Sequence, residues 1–314
     1  MDDFMDAQRI ETLVKLPKRA VDGHKGTFGS VAIVGGAAGM HLGDAFAATM
    51  LGAPALAAMG AIRAGCGLVK VAVPAPIVEA VLTLAPFATG NGLEVDSDRA
   101  IVASSAAVVI DELVRTNDVI VVGAGMGKGH EVEQIVVRLI GQEETVVVVD
   151  ADGLNALAGM RDFTRDVQAT MVLTPHPGEA RRLMDALSID GEPAGDEDQR
   201  IRSCVGLARR IGCVVVLKGK GTVVSDGQRV WICQRGHPAM GVGGTGDVLG
   251  GVIGSLIAQT KTEGAVDLFM ACAIGVEAHA IAGEEWAKSH HGSGGMIASE
   301  LADDLVGAIE SLRE

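Results

Sequence analysis

The sequence predicts an α/β fold, a mostly parallel sheet covered by helices on both faces. Near-continuous apolar runs such as Asp118-Val-Ile-Val-Val122, Thr145-Val-Val-Val-Val-Asp150 and Cys213-Val-Val-Val-Leu-Lys218 alternate with helical stretches. Strands read this way when helices shield both sides of a sheet. Hydrophobic residues make up 48% of the 314 and aromatics only 3%, so the core is predicted to be Ala, Val, Leu and Ile. The 43 glycines gather where the apolar runs end.

Residues 1–24 read as a short helical lead-in and a turn, too short for a domain. Ser30 to Val34 is the first strand, closed by Gly35-Gly36. The Ala-rich segment to Ala64 reads as helix, broken near Gly52 and Pro54, and the uncharged run Ala45 to Ile62 as a buried helix pair. Its alanines, glycines and Pro54 make a poor membrane span. Gly67 to Val73 is a second strand, Ala100 to Arg115 a helix, Asp118 to Val122 a third strand. Helix from about Glu131 to Ile140 leads into the strand ending at Asp150, and Met171 to Glu179 and Cys213 to Lys218 continue the alternation. Thr222-Val-Val and Val230-Trp-Ile-Cys233, with Asp226-Gly227 between them, form a hairpin signal. Three helices follow, from Val248, Ala265 and Ile297. No linker divides the chain, so residues 25–314 are expected to form one domain.

Charge and cysteines narrow the partners. A net charge of −14 excludes a general nucleic-acid binder, which needs a basic face. The five cysteines are scattered without a Cys-x-x-Cys pair and read as reduced core thiols. The acidic start Met-Asp-Asp-Phe-Met-Asp lacks a secretory signal, so a cytoplasmic, non-membrane protein is expected.

The chemistry centres on Gly236-His-Pro-Ala-Met-Gly-Val-Gly-Gly-Thr-Gly-Asp247, followed by a small-residue apolar run. Gly241, Gly243, Gly244 and Gly246 let a ligand approach the backbone, and the run after them reads as a buried helix. The N–H groups and dipole at such a helix start favour phosphate. Asp247 is expected to stay ionised there, as a base that accepts a proton from a hydroxyl during phosphoryl transfer. Gly241-Val-Gly-Gly-Thr-Gly246 formally matches G-x-G-x-x-G, but no strand precedes it, so the dinucleotide fingerprint is rejected. No Gly-Lys-Ser/Thr P-loop ending occurs. A glycine-rich packing turn is the bland rival. Against it, ligands of open α/β sheets bind beyond the carboxyl ends of the strands. That rule gathers Gly35-Gly36, Gly123 to Gly127, Asp150 to Asn155, Thr174 to Glu179 and Lys218 to Thr222 on one rim.

With these pieces assembled, the chain resembles the ADP/ATP-dependent NAD(P)H-hydrate dehydratases of the ribokinase-like superfamily. The matching motifs are Lys25-Gly-Thr-Phe-Gly-Ser-Val-Ala-Ile-Val-Gly-Gly36, Gly52-Ala-Pro-Ala-Leu-Ala-Ala58 and Arg63-Ala-Gly-Cys-Gly-Leu-Val69. Val149-Asp-Ala-Asp-Gly-Leu-Asn-Ala-Leu157, Leu173-Thr-Pro-His-Pro-Gly-Glu179, Leu217-Lys-Gly-Lys-Gly-Thr222, Gly243-Gly-Thr-Gly-Asp-Val-Leu249 and Gly295-Met-Ile-Ala-Ser-Glu300 follow in family order. The resemblance implies a three-layer α/β/α sandwich and a lyase that repairs hydrated NADH and NADPH. A nucleotide phosphorylates the ring hydroxyl, and phosphate then leaves.

By motif match, Asp247 would be the base and the N–H groups of Gly244 and Gly246 would stabilise the moving phosphoryl group. Lys218, Gly219, Lys220, Gly221, Thr222 and Gly246 would contact ADP or ATP. Ala53, Gly125 or Gly127, His176 and Asp247 would contact the hydrate. Mg2+ is expected with the nucleotide phosphates, without a dedicated protein metal site, and the family suggests a homo-oligomer. Blander roles compete: His176 as a turn residue between two prolines, Lys218 as a solvated strand end. Asp150, Asp152 and Glu179 are expected to be helix caps, and His290-His291 an exposed pair.

The chain departs from the family in places. About ten extra residues, His41 to Leu51, stand beside the expected substrate wall. Gly123-Ala-Gly-Met-Gly127 replaces Gly-Pro-Gly-Leu-Gly, and His237-Pro-Ala-Met-Gly-Val242 replaces Asn-Pro-Gly-Met-Ala-Thr. Residues 1–24 are too short to be the epimerase domain that often precedes this one. The alternatives are a small-molecule kinase of the same superfamily acting on a vitamin-precursor alcohol, and a catalytically silent nucleotide sensor.

Overall fold

The computed structural model describes residues 6–42, 46–260 and 266–314, with the side chains of residues 40–42, 46 and 47 outside that description. The chain opens with β1 (Gln8–Arg9), β2 (Ser30–Gly35) and the hairpin pair β3 (Ala37–Leu42) and β4 (Phe46–Met50). Next come α1 (Gly52–Arg63), β5 (Leu68–Pro74), α2 (Val78–Leu84), β6 (Thr89–Leu93), α3 (Ala103–Thr116), β7 (Val119–Ala124) and α4 (His130–Ile140). Then follow β8 (Val146–Val149), α5 (Ala151–Gly159), β9 (Thr170–Leu173), α6 (Pro177–Leu187), α7 (Glu197–Ile211) and β10 (Val214–Leu217). The hairpin β11 (Val223–Ser225) and β12 (Arg229–Ile232) precedes α8 (Thr245–Thr260), α9 (Leu268–His290) and α10 (Ala298–Ser311).

Ten strands make one sheet in the order β1-β12-β11-β10-β9-β8-β7-β2-β5-β6. β11 is antiparallel to both of its neighbours, and all other pairings in the sheet are parallel. Successive side chains of a strand face opposite sides, and the core divides accordingly. Val31, Ile33, Val119 and Val121 pack with α1, α8, α9 and α10. Ala32, Val34, Ile120 and Val122 pack with α3 to α7. This is the three-layer sandwich expected from the apolar runs.

α1 and α8 lie backbone to backbone, which explains their small residues. A Cβ on Gly60 would fall 2.2 Å from the Val248 carbonyl oxygen, and one on Gly251 would fall 1.9 Å from that of Ala57. Larger residues there would force α1 and α8 apart.

Three expectations need correcting. Ala37 to Met50 is not helical: β3 and β4 pair antiparallel, with Ala37 opposite Met50. The proposed helix pair over Ala45 to Ile62 is thus a strand followed by one helix, and Ala45 lies outside the described residues. The lead-in is likewise not helical among its described residues, since Gln8 and Arg9 extend the sheet beside β12 and Leu16 is buried. The sequence reading also passed over β6, whose Thr-Gly-Asn-Gly-Leu lacks the β-branched run that marks a strand. No described helix is long and apolar enough to cross a membrane.

Candidate active site

The glycine loop delivers Asp247 to the rim on the first turn of α8. Gly244 adopts φ +95°, a backbone conformation that favours glycine, and a Cβ there would displace Leu56 Cδ1, 2.6 Å away. The loop is pinned from within. The Thr245 hydroxyl donates to the carbonyls of Met240 and Val242, both at 3.1 Å. His279 Nε2 lies 2.9 Å from the Thr245 carbonyl. Burial pushes that imidazole down to about 4, so it is neutral and Nε2–H donates.

Burial also pushes the Asp247 carboxyl up, to about 7; nearby Asp150 and Asp152 add to the rise and Lys218 opposes it. This corrects the expectation that Asp247 simply stays ionised. A carboxyl that titrates near neutrality is better matched to accepting and returning a proton than an ordinary aspartate.

Lys218 Nζ sits 2.6 Å from Asp150 Oδ1, and the Thr174 hydroxyl donates to the same oxygen at 2.7 Å. Asp150 occupies the N-cap position of α5 but makes no capping hydrogen bond, which overturns its expected role. Asp152 is not a cap either: its Oδ2 accepts from the Gly127 N–H at 2.8 Å. Burial pulls the Lys218 ammonium down, but Asp150 and Glu179 outweigh it and hold Lys218 above its ordinary value. A Cβ on Gly246 would lie 3.5 Å from Lys218 Nζ, so the ammonium faces the glycine loop.

Residues 218–222 form a tight turn, with Gly219 at φ +132° and Gly221 at φ +64°. Buried Arg200, on α7, braces it. Its Nη2 donates to the carbonyls of Leu217, Lys218 and Gly221 at 3.1, 3.3 and 3.3 Å.

The opposite wall is made by Ala53 and the 123–127 turn. A Cβ on Gly123 would fall 1.9 Å from the Asp150 carbonyl oxygen, so the turn closes only with glycine. A Cβ on Gly125 would meet Ala53 Cβ and Met50 Cβ, each at 3.1 Å. Ala53, Gly125 and the hairpin end at Met50 therefore share one surface. His176 caps α6: Nδ1 accepts from the N–H groups of Gly178 and Glu179 at 2.9 and 3.3 Å. Glu179 Oε2 returns the bond to the His176 N–H at 2.8 Å, completing the capping box expected of it. The His176 ring is half exposed, with Nε2 3.2 Å from Glu179 Oε1. Burial, Lys218 and Arg182 hold its imidazole below the usual value. Burial pushes Glu179 up to about 7, with the Lys218 charge opposing. His290 and His291 are exposed and lie outside this site, as expected, with His290 stacked on Trp286 at 4.4 Å.

The sequence model of one protein family, NAD(P)H-hydrate dehydratase, matches residues 46–306. This chain belongs to the NAD(P)H-hydrate dehydratase family. It is 33% identical over 307 residues to the ADP-dependent (S)-NAD(P)H-hydrate dehydratase of Neisseria meningitidis, covering 94% of this chain and 91% of that protein. It is 34% identical over 303 residues to the bifunctional NAD(P)H-hydrate repair enzyme of Moorella thermoacetica, covering 96% of this chain but 53% of that enzyme. The chain thus spans about half the length of such bifunctional relatives. The ADP/ATP-dependent NAD(P)H-hydrate dehydratase of Bacillus subtilis, co-crystallized with ATP/Mg2+, superposes with a TM-score of 0.75 at 27% identity, covering 95% of each chain. A ribokinase-like superfamily protein from Enterococcus faecalis shares the fold at a TM-score of 0.75 and 20% identity, covering 98% of this chain and 97% of that one. The fold is ribokinase-like, as the motif order implied.

In this dehydratase-family chain, all the expected site residues lie on the rim at the carboxyl ends of the strands. Lys218, Gly246 and Asp247 converge on one side, Ala53 and Gly125 on the other. Three supporting residues were missed. Asp150 was read as a cap, because a 68-residue separation hides its pairing with Lys218. Arg200 and His279 belong to helices whose sequence gives no sign of the loop they brace. Their one legible signal is a charged or polar residue inside an otherwise core-facing helical stripe.

Proposed function

We propose that this chain dehydrates the (S)-form of hydrated NADH and NADPH, with ADP as the phosphoryl donor. We take residues 25–314 as its catalytic unit and 1–24 as a lead-in. Support for ADP over ATP comes from the Neisseria relative, which matches along nearly its whole length. The observation that carries the reading is the placement of Asp247 at a helix start, half-buried, beside a lysine held by a second aspartate.

Asp247 accepts the proton of the ring hydroxyl as that oxygen bonds to the terminal phosphorus of the donor, and the bond to the nucleotide's bridging oxygen breaks. The N–H groups of Gly244 and Gly246 and the Lys218 ammonium meet the charge on the moving group. The carbon–oxygen bond then breaks, driven by the ring nitrogen's lone pair, and phosphate leaves with the bonding electrons. Loss of the proton from the neighbouring ring carbon restores the double bond. The net reaction converts hydrate and ADP to reduced dinucleotide, AMP and phosphate.

Lys218 to Thr222 and Gly246 receive the nucleotide; Ala53, Gly125, Gly127 and the exposed edge of His176 receive the hydrate. Among the described residues no group of three His, Cys, Asp or Glu side chains could hold a metal. Asp150, the nearest carboxylate to Lys218, is already engaged. Mg2+ would come with the nucleotide's phosphates, where it would offset their charge. The family also makes a homo-oligomer our expectation for the assembled enzyme.

The deciding assay supplies NADH hydrate with ADP or ATP separately and follows absorbance of the reduced nicotinamide together with released phosphate. Recovery of both in equal amounts supports the reading. A stable phosphate ester with no absorbance gain would identify a small-molecule kinase instead.

A further inference from the structure

Behind the glycine loop, α9 carries an imidazole that the proposed reaction steps do not use. His279 is buried, and the residues before and after it, Ala278 and Ala280, are buried alanines. A polar ring in such a place costs stability unless it is bonded, and packing alone would be served as well by leucine. Its Nε2 meets the Thr245 carbonyl at 2.9 Å. A carbonyl can only accept, so Nε2 carries the proton. Lys218 is close enough to act on the ring, which therefore stands behind the pocket that the ammonium faces.

The loop has other ties that keep its shape. On the same helix Glu284 accepts from the Gly236 N–H at 2.9 Å and pairs with Arg235 at 2.8 Å, while Glu277 takes that guanidinium at 2.9 Å. Gly283 lets Met240 lie against α9, since a Cβ there would fall 2.3 Å from its sulfur. The Thr245 hydroxyl closes the loop on itself through the carbonyls of Met240 and Val242. Of all these contacts, only the His279 bond reaches the peptide unit between Thr245 and Gly246. The C=O and N–H of that unit share one conjugated plane, so a proton donated to the oxygen draws electron density from the nitrogen. At a helix start such N–H groups point outward and lack a partner within the helix. Among the described residues the Gly246 N–H donates to no protein acceptor.

We propose that His279 is a positioning residue for phosphoryl transfer: its Nε2–H polarises the Thr245–Gly246 peptide, and the Gly246 N–H in consequence holds an oxygen of the moving phosphoryl group more strongly. The inference rests on the function proposed above, in which Gly246 meets that charge. Hydrogen bonds in a chain strengthen one another, by roughly 10–30% per bond. The gain is greatest where the acceptor carries most charge, in the transition state rather than in the bound nucleotide. His279 therefore bears on the rate of transfer more than on affinity. A neutral ring also supplies this polarisation without placing a second cation beside Lys218.

The test compares the wild type with His279→Leu, which fills the space without a donor, and His279→Gln, whose amide N–H has about the reach of Nε2. Thr-Gly occurs in the chain only as Thr89-Gly90 and Thr245-Gly246. Threonine labelled with carbon-13 at its carbonyl, together with nitrogen-15 glycine, therefore isolates these two amide signals, and Gly90 on β6 is the control. In His279→Leu the Gly246 amide proton should move upfield while that of Gly90 stays. The same variant should lose roughly tenfold in kcat, with KM for ADP within about twofold of the parent. His279→Gln should recover the signal and most of the rate, which separates loss of the bond from loss of the ring's own magnetic field. A Gly246 signal unmoved in His279→Leu overturns the inference. So does a rise in KM for ADP that matches the loss of kcat in both variants, the mark of a displaced loop. Nitrogen-15 shifts of the wild-type His279 ring that put its proton on Nδ1 overturn it without any variant. A wild type that turns over no hydrate sinks the proposed function; the amide signals, which need no substrate, then decide the role of His279 by themselves.

Discussion

The Lys218 ammonium and the Asp150 carboxylate meet at 2.6 Å across 68 residues of chain, with the Thr174 hydroxyl on the same carboxylate oxygen. Asp150 therefore holds the lysine off Asp247 while adding a like charge near it. The charged groups acting on Asp247 are Asp150 and Asp152 from the start of α5 and Lys218 from the end of β10. His279, behind the loop, is neutral above about pH 4 and adds no charge there. In Asp150→Asn the raising charge is gone and Lys218 is released toward Asp247, and both changes favour the ionised base. The acidic limb of the pH–kcat/KM profile, near pH 7 in the parent, should move down by about one unit or more. At the same time kcat should fall roughly tenfold, because the lysine no longer faces the transferring group. A profile that keeps its acidic limb while activity drops would reduce Asp150 to a structural role.

Asp247 is held in the fold at a cost. Its carboxyl titrates near 7 in the native protein and near the ordinary aspartate value when unfolded. A raised acid favours folding most when protonated, so this contribution is intact below about pH 4 and lost as pH climbs through 7. Asp247→Asn removes the ionisable group. The variant should unfold at higher temperature than the parent at pH 8, by roughly 2–4 kcal/mol in stability, and lose that advantage near pH 4. Its turnover should fall roughly 10²–10⁴-fold while nucleotide binding persists. Thermal melts at the two pH values, alongside the hydrate assay, check both halves. Equal melting temperatures at pH 8 would mean the carboxylate is not desolvated.

The two glycines beside Asp247 should behave differently when given a methyl group. At Gly244 the backbone is left-handed and Leu56 Cδ1 would lie 2.6 Å from the new carbon, so Gly244→Ala should destabilise the protein by roughly 1–3 kcal/mol. At Gly246 the methyl would make ordinary contact with Lys218 Nζ at 3.5 Å, in a helical turn where alanine is favoured. Gly246→Ala should fold as well as the parent yet lose roughly 10²-fold in turnover, since the methyl stands where the phosphoryl group must pass. Denaturant titrations with activity measurements separate the cases. A fully active Gly246→Ala would show that phosphate does not approach this residue.

The parallel sheet and the rim were legible because both rest on local patterns: continuous β-branched runs, then glycine or an acid where each run ends. What escaped was set by distant neighbours. Nothing in Asp150-Ala-Asp-Gly tells a cap from an ion-pair partner, since both put an aspartate before a helix. The pair became visible only when β8 and β10 took their places on either side of β9. Ala37 to Met50 misled for a different reason. Alanine has high helix propensity, but the segment's partner is its own other half, and cross-strand pairing overrides propensity. Asp247's raised pKa was likewise invisible, because burial and two further aspartates cause it and its own motif supplies neither.

The hairpin ends on the substrate wall, at Met50, which gives the extra residues a measurable consequence. Met50 packs on Gly125 beside Ala53: a Cβ placed on Gly125 would lie 3.1 Å from Met50 Cβ and 3.4 Å from its Cε. Met50 is only partly buried, so trimming it should cost the fold little, about 1–2 kcal/mol. If the hydrated ring rests on Ala53 and Gly125, the lost thioether widens its slot and removes apolar contact. Met50→Ala should then raise KM for the hydrate roughly tenfold, a few methylenes' worth of contact, and leave KM for the nucleotide unchanged. Lys218 and its turn lie across the rim from this wall, so the two constants should part company. If both KM values stay at the parent level, the ring binds elsewhere on the rim and the hairpin has no part in holding it.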